Sequence, residues 1–453
     1  MTLQRREFLA GLTGLHPATM LQAVERRPNI VLLFADDLGY GELGCQGNPE
    51  IPTPHIDSIA RSGVRFTNGY VTAPYCCPSR AGILTGRYQT RFGCELNPVG
   101  KQNLLPGVGL PESEKTMAAY LHEAGYRTGL FGKWHLGGTE KYHPLTRGFD
   151  EFYGFLHEGH FYQPRSNARI ISRLRKNEPP YDDANPLMRG REVIEEPEYF
   201  TRALAREACG FIDRAVDNDK KPFFLYLPFN AVHSPMQAEP RDLDRFAHIA
   251  DPHRRIFAAM LSVLDEAVGK VLGKLKEKGV ERDTMVVFLS DNGGPTAELT
   301  SSNRPLRAGK GQLYEGGVRV PFLLRYPAKL RGGKVEKGVV SSLDLLPTFL
   351  GLAGAGKTLA NPLDGVDLLR PRQDRTLYWR YGNSGALRMG DWKVVRQNRP
   401  RETGAEWELF DLKKDPIESR NLAKEQPGRA KLLVDRWTAL DGEMTVPGRE
   451  LRN

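Results

Sequence analysis

Cysteine is scarce in this chain and odd in number: Cys45, Cys76, Cys77, Cys94 and Cys209, irregularly spaced. That pattern excludes a disulfide framework and carries no zinc-ligand spacing. Apolar runs of membrane-span length are also missing, so no permanent membrane anchor is predicted. No internal repeat or low-complexity tract is present. Hydrophobic residues make up 40% and charged residues 26%, ordinary for a folded globular chain and unlike a disordered or fibrous one. No recognised nucleic-acid module accompanies the net charge of +9, which favours an anionic substrate or simply a solvated basic surface.

What is there begins with length. A chain of 453 residues implies a large domain and a smaller one. "NIVLLFA" (29–35), "RTGLFG", "FFLYLPF" and "TMVVFLS" read as buried strands. "TMAAYLHEAG" reads as a helix stopped by Gly125, and residues 254–278 place Ile256, Met260, Leu264, Val268, Val271 and Leu275 at helical spacing. Strand–helix alternation predicts an α/β fold, a large mostly parallel sheet with helices on both faces. After about residue 370, "RTLYWRYG", "GALRMGDWKVVRQ" and "EWELFDLKKDP" predict a small antiparallel sheet, with a helix around 427–440. The expected division is 1–27, 28–370 and 371–453. The first segment, "MTLQRREFLAGLTGL", resembles a twin-arginine export signal through Arg5 and Arg6, although His16 and Pro17 interrupt its apolar run.

In open α/β sheets ligands bind beyond the carboxyl ends of the strands, and polar residues gather there. Asp36 and Asp37 follow one strand; Asp291 and Asn292 follow another. Each pair alone also fits a turn or helix cap. Together, three carboxylates and an amide oxygen form a hard oxygen set suited to Ca²⁺ or Mg²⁺. Lys133 and His135 in "FGKWHLG", His233 in "FNAVHSP" and Lys310 in "RAGKGQLYEGG" have the same placement. Cationic and ionisable groups facing a carboxylate cluster point to a metal and cation clamp around a tetrahedral anion.

Residues 76–87, "CCPSRAGILTGR", match the pattern C-x-P-S-R-x-x-x-L-T-G-R and resemble the formylglycine-dependent type I sulfatases of the alkaline-phosphatase-like superfamily. The similarity continues through "PNIVLLFADDLGYG", "GKWHLG", "HPLTRGFDEFYGF", "GKGQLYEGGVRVPFLLRYP" and "LFDLKKDPIESRNLA". It makes Cys76 the motif cysteine and puts Cys77 at the variable position, more often a small hydroxyl residue, where a second oxidation target or a vicinal disulfide becomes conceivable. The resemblance implies that a maturation enzyme oxidises Cys76 to Cα-formylglycine. It also implies that Asp36, Asp37, Cys76, Asp291 and Asn292 hold one ion, calcium in preference to magnesium. Arg80 and Lys133 would orient the aldehyde hydrate, and Lys133 and Lys310 would neutralise the sulfate. His135 would accept a proton as sulfate is eliminated, and His233 with Lys310 would serve the leaving oxygen.

The substrate is less defined. "TGRYQTRFGCELNP" resembles sulfatases acting on galactosamine or galactose sulfates, which implies an exo-acting enzyme on sulfated carbohydrate. His157 and His160 in "FLHEGHFYQP", with the basic stretch 166–177, are candidate substrate contacts. A phosphonate or phosphate ester hydrolase, and a non-catalytic binder of sulfated glycans, are the alternatives. Oligomeric state has no sequence signal here. The register makes a direct prediction: Cys76→Ala abolishes sulfate release, whereas Cys77→Ser largely retains it, as measured by ion chromatography of released sulfate.

Overall fold

The computed structural model describes residues 27–163, 184–356, 358–370, 375–398 and 403–446, plus the backbone of residues 171–172. The export-signal segment, the expected boundary at 371 and nearly all of the basic stretch 166–177 lie outside the described residues.

Asn29–Ala35 is buried at every position, because it runs through the middle of a ten-stranded sheet. Its side chains alternate between two cores. Val31, Leu33 and Ala35 enter one apolar cluster, whereas Ile30, Leu32 and Phe34 enter the other. This two-sided burial accounts for a continuous apolar run where a half-exposed strand would alternate with polar residues. The sheet order is Lys334–Ser341, Val64–Tyr70, Phe322–Arg325, Thr284–Ser290, Asn29–Ala35, Phe223–Pro228, Arg127–Lys133, Glu151–Phe155, Met188–Arg189 and Glu192–Val193. From Thr284–Ser290 to Glu151–Phe155 neighbouring strands are parallel; Phe322–Arg325 is antiparallel to both of its neighbours, so the sheet is mixed.

The helices Pro54–Arg61, Phe200–Asp213 and Pro252–Glu277 cover one face. Cys76–Thr85, Met117–Glu123 and Leu345–Ala353 cover the other. Their ends follow local chemistry. Thr116 Oγ1 accepts from the amide of Ala119, and Asp251 accepts from that of His253 with Pro252 in the first turn. Gly125, at φ 84°, closes the end of the helix that the sequence places there.

A separate four-stranded antiparallel sheet follows, in the order Thr376–Tyr381, Ser384–Met389, Trp392–Arg396, Glu408–Asp411. Helix Pro427–Asp441 packs on it through Leu433 and Trp437, whose indole N–H donates to the Trp379 carbonyl at 3.0 Å. The two sheets meet through buried charge. Lys393 Nζ lies 2.8 Å from Glu315 Oε1 and 3.0 Å from Glu418 Oε1, with all three side chains excluded from solvent. Tyr70 Oη donates to Glu315 Oε2 at 2.6 Å, and the Glu315 amide donates to Glu418 Oε2 at 2.6 Å. Glu315 begins the short turn of helix that follows Lys310, so this cluster backs the Lys310 loop.

Burial alone would raise the Glu315 carboxyl, but Lys393, Arg319 and Arg388 hold it at about 2. Burial, helped by Glu315, lifts Glu418 from 4.5 to about 7 despite Lys393. The signs oppose. Glu315 contributes stability above its unfolded value, which is lost as pH falls towards about 2; Glu418 contributes stability that is complete below about 4.5 and is lost as pH rises through 7. Glu418→Gln is therefore expected to flatten the fall in stability between those two pH values. Lys393→Met removes the cation that Glu315 and Glu418 share, although Arg319 still faces Glu315, and is expected to cost about 3–5 kcal/mol. Urea unfolding followed by tryptophan fluorescence reads both, because Trp379, Trp392, Trp407 and Trp437 belong to the C-terminal region and Trp134 alone does not.

Candidate active site

Parallel pairing sets Ala35 opposite Ser290. The next residues on these two strands are therefore Asp36 and Asp291, side by side at the carboxyl edge, followed by Asp37 and Asn292. The Asp37 amide donates to Asp291 Oδ1 at 3.1 Å, locking the two turns together. Asp37 adopts φ 60° and His135 φ 56°, left-handed conformations uncommon for residues other than glycine. Lys133 ends its own strand. Cys76 opens the helix Cys76–Thr85, and Arg80 follows four residues later on the same helical face.

These groups converge in a solvent-excluded cluster. One ligand atom each from Asp36, Asp37, Cys76 and Asp291 lies within 4.8 Å of the others. Cys76 Sγ is 3.5 Å from Asp36 Oδ1. Arg80 Nη2 donates to Asp291 Oδ2 at 2.7 Å and lies 3.6 Å from Asp36 Oδ2. Lys133 Nζ donates to Asp36 Oδ2 at 2.6 Å, and Lys310 Nζ to Asp37 Oδ2 at 2.8 Å. Asn292 Nδ2 donates to Asp37 Oδ1 at 2.7 Å. Its other end, Oδ1, is buried with no hydrogen-bond partner.

Burial and like charge work against ionisation here. Burial and the neighbouring Asp36 push Asp291 up to about 6, against the pull of Arg80 and Lys133. Burial would raise Asp37 as well, but Lys310 and His233 hold it at about 2. Burial and the Asp291 charge push the Cys76 thiol well above its ordinary value. Buried carboxylates this close fit a divalent cation, and the orphaned Asn292 oxygen supplies an acceptor aimed at no protein donor.

The histidines flank the cluster in different states. His135 Nε2 meets the Pro98 carbonyl at 2.9 Å, so that nitrogen carries the proton and Nδ1 is left as an acceptor without a protein partner. Burial and Lys133 hold His135 well below its ordinary value, in the neutral form. His233 donates from Nδ1 to the Ser234 carbonyl at 2.7 Å, with Nε2 3.6 Å from Asp37 Oδ2. Burial and Lys310 lower it to about 3, outweighing Asp37.

His157 and His160 do not join the acidic cluster. His157 is buried, and its backbone amide donates to Asn185 Oδ1 at 3.1 Å. His160 is half-buried, its ring 5.5 Å from Phe155 and 6.1 Å from Phe200, and it lines a cavity of about 290 Å³ with Tyr162 and Glu196. Three supporting groups carry no sequence signal of their own. The Pro98 carbonyl orients His135; Asn97 Oδ1 accepts from the Cys77 amide at 3.1 Å; Glu158 accepts from the Gly100 amide at 2.9 Å and from Asn103 at 3.0 Å. A fourth, Glu315, stands inside the quoted glycine-rich stretch, but nothing local gives away its buried partner Lys393.

The family model described as Sulfatase matches residues 28–355, and a model described as N-sulphoglucosamine sulphohydrolase, C-terminal, matches residues 309–440. Human arylsulfatase A is 36% identical over 446 residues, covering 88% of this chain and 84% of that protein. The N-acetylgalactosamine-6-sulfatase of Rattus norvegicus is 34% identical over 389 residues, 81% and 71% of the respective chains. Among solved structures, Ps i-CgsB in complex with k-i-k-neocarrahexaose superimposes with a TM-score of 0.86 at 36% identity, covering 94% of this chain and 96% of that one. The fold is alkaline-phosphatase-like. Similarity of this extent places the chain in the sulfatase family, and it is a sulfuric ester hydrolase.

Proposed function

We propose that this chain is an exo-acting sulfatase of sulfated carbohydrate, with galactose or galactosamine sulfates as substrates. It works through formylglycine at position 76 and one calcium ion that Asp36, Asp37, Asp291, Asn292 and the modified Cys76 would hold. The observation that carries this reading is the buried convergence of four ligand atoms within 4.8 Å, surrounded by Arg80, Lys133 and Lys310. The similarity to N-acetylgalactosamine-6-sulfatase and to a protein solved in complex with k-i-k-neocarrahexaose supports a carbohydrate substrate. The phosphonate monoester hydrolase likeness, at 20% identity and a TM-score of 0.65, speaks to fold alone. Export through the Arg5–Arg6 signal and oxidation by a maturation enzyme complete the reading.

The Cys76 thiol stands where the aldehyde hydrate would be. That hydrate supplies one hydroxyl to attack sulfur and a second through which sulfate is expelled, and calcium supplies positive charge to the sulfate oxygens. Arg80 and Lys133 reach the site already paired with Asp36 and Asp291, so they orient the attacking group without reorganisation. The free Nδ1 of neutral His135 takes the second hydroxyl's proton. On the leaving side Lys310 Nζ and His233 Nε2 both face Asp37 Oδ2, at 2.8 and 3.6 Å, and the two together serve the leaving oxygen.

Peptide mass spectrometry across residues 66–80 of protein coexpressed with a maturation enzyme, with sulfate release from a panel of sulfated saccharides, tests the whole. Formylglycine at Cys76 with release from galactose or galactosamine sulfates is the expected outcome; faster hydrolysis of matched phosphate esters would overturn it. Chelation with EDTA should abolish turnover, and calcium should restore it more fully than magnesium. His233→Ala should slow sugar sulfates by about 10²–10⁴-fold and 4-nitrophenyl sulfate much less, since a nitrophenolate needs no proton to depart. Equal losses on both substrates would remove His233 from the leaving-group side.

A further inference from the structure

His135 takes its tautomer from a backbone carbonyl, that of Pro98, and a carbonyl is only as fixed as the segment that carries it. In this segment Val99, Leu104 and Leu105 are 41%, 38% and 41% exposed, so apolar packing does little to hold it. Polar contacts hold it instead. At its start Asn97 Oδ1 accepts from the Cys77 amide at 3.1 Å. Towards its end the Asn103 carbonyl accepts from the amide of Gly138, three residues beyond His135, at 2.8 Å.

Two buried side chains fasten the middle, Asn103 and Glu158. Both Glu158 oxygens lie 2.9 Å from the Gly100 amide, and Oε2 also accepts from Asn103 Nδ2 at 3.0 Å. The same Nδ2 donates to the Gly100 carbonyl at 3.0 Å and stands 3.4 Å from the Pro98 carbonyl oxygen. Among the described residues no lysine or arginine forms an ion pair with Glu158, so these donors are what make its burial tolerable. The carboxylate holds them as firmly as they hold it. Glu158 is anchored to the histidine from the other side as well, because the His135 amide donates to the Leu156 carbonyl at 3.0 Å, two residues earlier.

We propose that Asn103 and Glu158 are positioning residues for His135: they hold the Pro98 carbonyl against Nε2, which keeps the proton on that nitrogen and leaves Nδ1 bare to act as a base. A carbonyl oxygen attracts a protonated Nε2 and repels a bare one, so its placement selects between the two neutral tautomers. Were the segment to shift, that selection would lapse, and a proton on Nδ1 would remove the lone pair the base needs. The inference rests on the reading of His135 as the group that takes a proton while sulfate is expelled. The tautomer itself is readable without substrate, metal or a matured Cys76.

The full chain, labelled with ¹⁵N-histidine and not matured, is studied by long-range ¹H–¹⁵N correlation at neutral pH, with His135→Gln identifying the resonances of that ring. The unsubstituted protein should show one neutral form, Nε2 protonated and Nδ1 bare. Asn103→Ala and Glu158→Ala should show the Nδ1-protonated form or an average of the two. Glu158→Gln, which still offers an oxygen to the Gly100 amide, should fall between, and Leu105→Ala, on the exposed side of the same segment, should match the unsubstituted protein. A proton on Nδ1 in the unsubstituted protein would overturn the proposal, as would an unchanged tautomer in folded Asn103→Ala; if that variant does not fold, Glu158→Gln decides in its place. In the matured enzyme Asn103→Ala should lower the steady rate on 4-nitrophenyl sulfate about 10²-fold while an initial burst of nitrophenol persists, as it should in His135→Ala. A shifted tautomer with no burst in either variant would support the positioning of His135 and overturn its place in sulfate expulsion. A burst in His135→Ala beside an unchanged steady rate in Asn103→Ala would overturn the positioning.

Discussion

Ala35 lies opposite Ser290 in a parallel pair, and one residue beyond that register both strands turn acidic. The rest of the site depends on this pairing. It places Asp36 beside Asp291 where neither reaches solvent, an arrangement that would be prohibitive for isolated charges. Arg80, Lys133 and Lys310 make it tolerable, each pairing with a carboxylate at between 2.6 and 2.8 Å. The same cations that suit a sulfate group are thus also what allows three carboxylates to be buried together. Stability and chemistry share one set of contacts.

A charge count gives this balance its meaning. Three carboxylates face three basic side chains, so the cluster is close to neutral before any ligand arrives. A divalent cation would add two positive charges, and a singly charged sulfate ester together with a deprotonated nucleophile would add two negative ones. The reacting groups can thus be filled without building up net charge in a region of low polarisability, where such charge is most costly. The neutral histidines fit the same scheme, since a further cation beside Lys133 or Lys310 would be opposed by both burial and repulsion.

The strands and the acidic pairs were legible in the sequence because both depend on short-range pattern: an apolar run of strand length, then Asp-Asp or Asp-Asn. The C-x-P-S-R stretch distinguished Cys76 from Cys77 for the same reason, and its helix begins at Cys76. His157 and His160 were visible as polar residues in a loop, but not their surroundings. One is buried beside Asn185 and the other lies among Phe155 and Phe200, contacts that no local spacing encodes. The Pro98 carbonyl was illegible in principle, since every residue has a carbonyl and only the fold selects one. Glu315, Lys393 and Glu418 come from three separate stretches of the chain, and a lysine inside "WKVVR" reads as a solvent-facing residue of a strand.

That last cluster bears on how such a chain can be inherited and recombined. The C-terminal sheet looks detachable, with its own strands and its own helix. Yet Lys393 and Glu418 are the far half of an ionic lock whose near half, Glu315, stands five residues from Lys310. A recombination event that exchanged the C-terminal portion would have to import matching counter-ions along with it. Mismatched parts would leave uncompensated charge directly behind the Lys310 loop. The two portions are therefore bound to descend as a single unit, tied by three side chains that never meet the solvent.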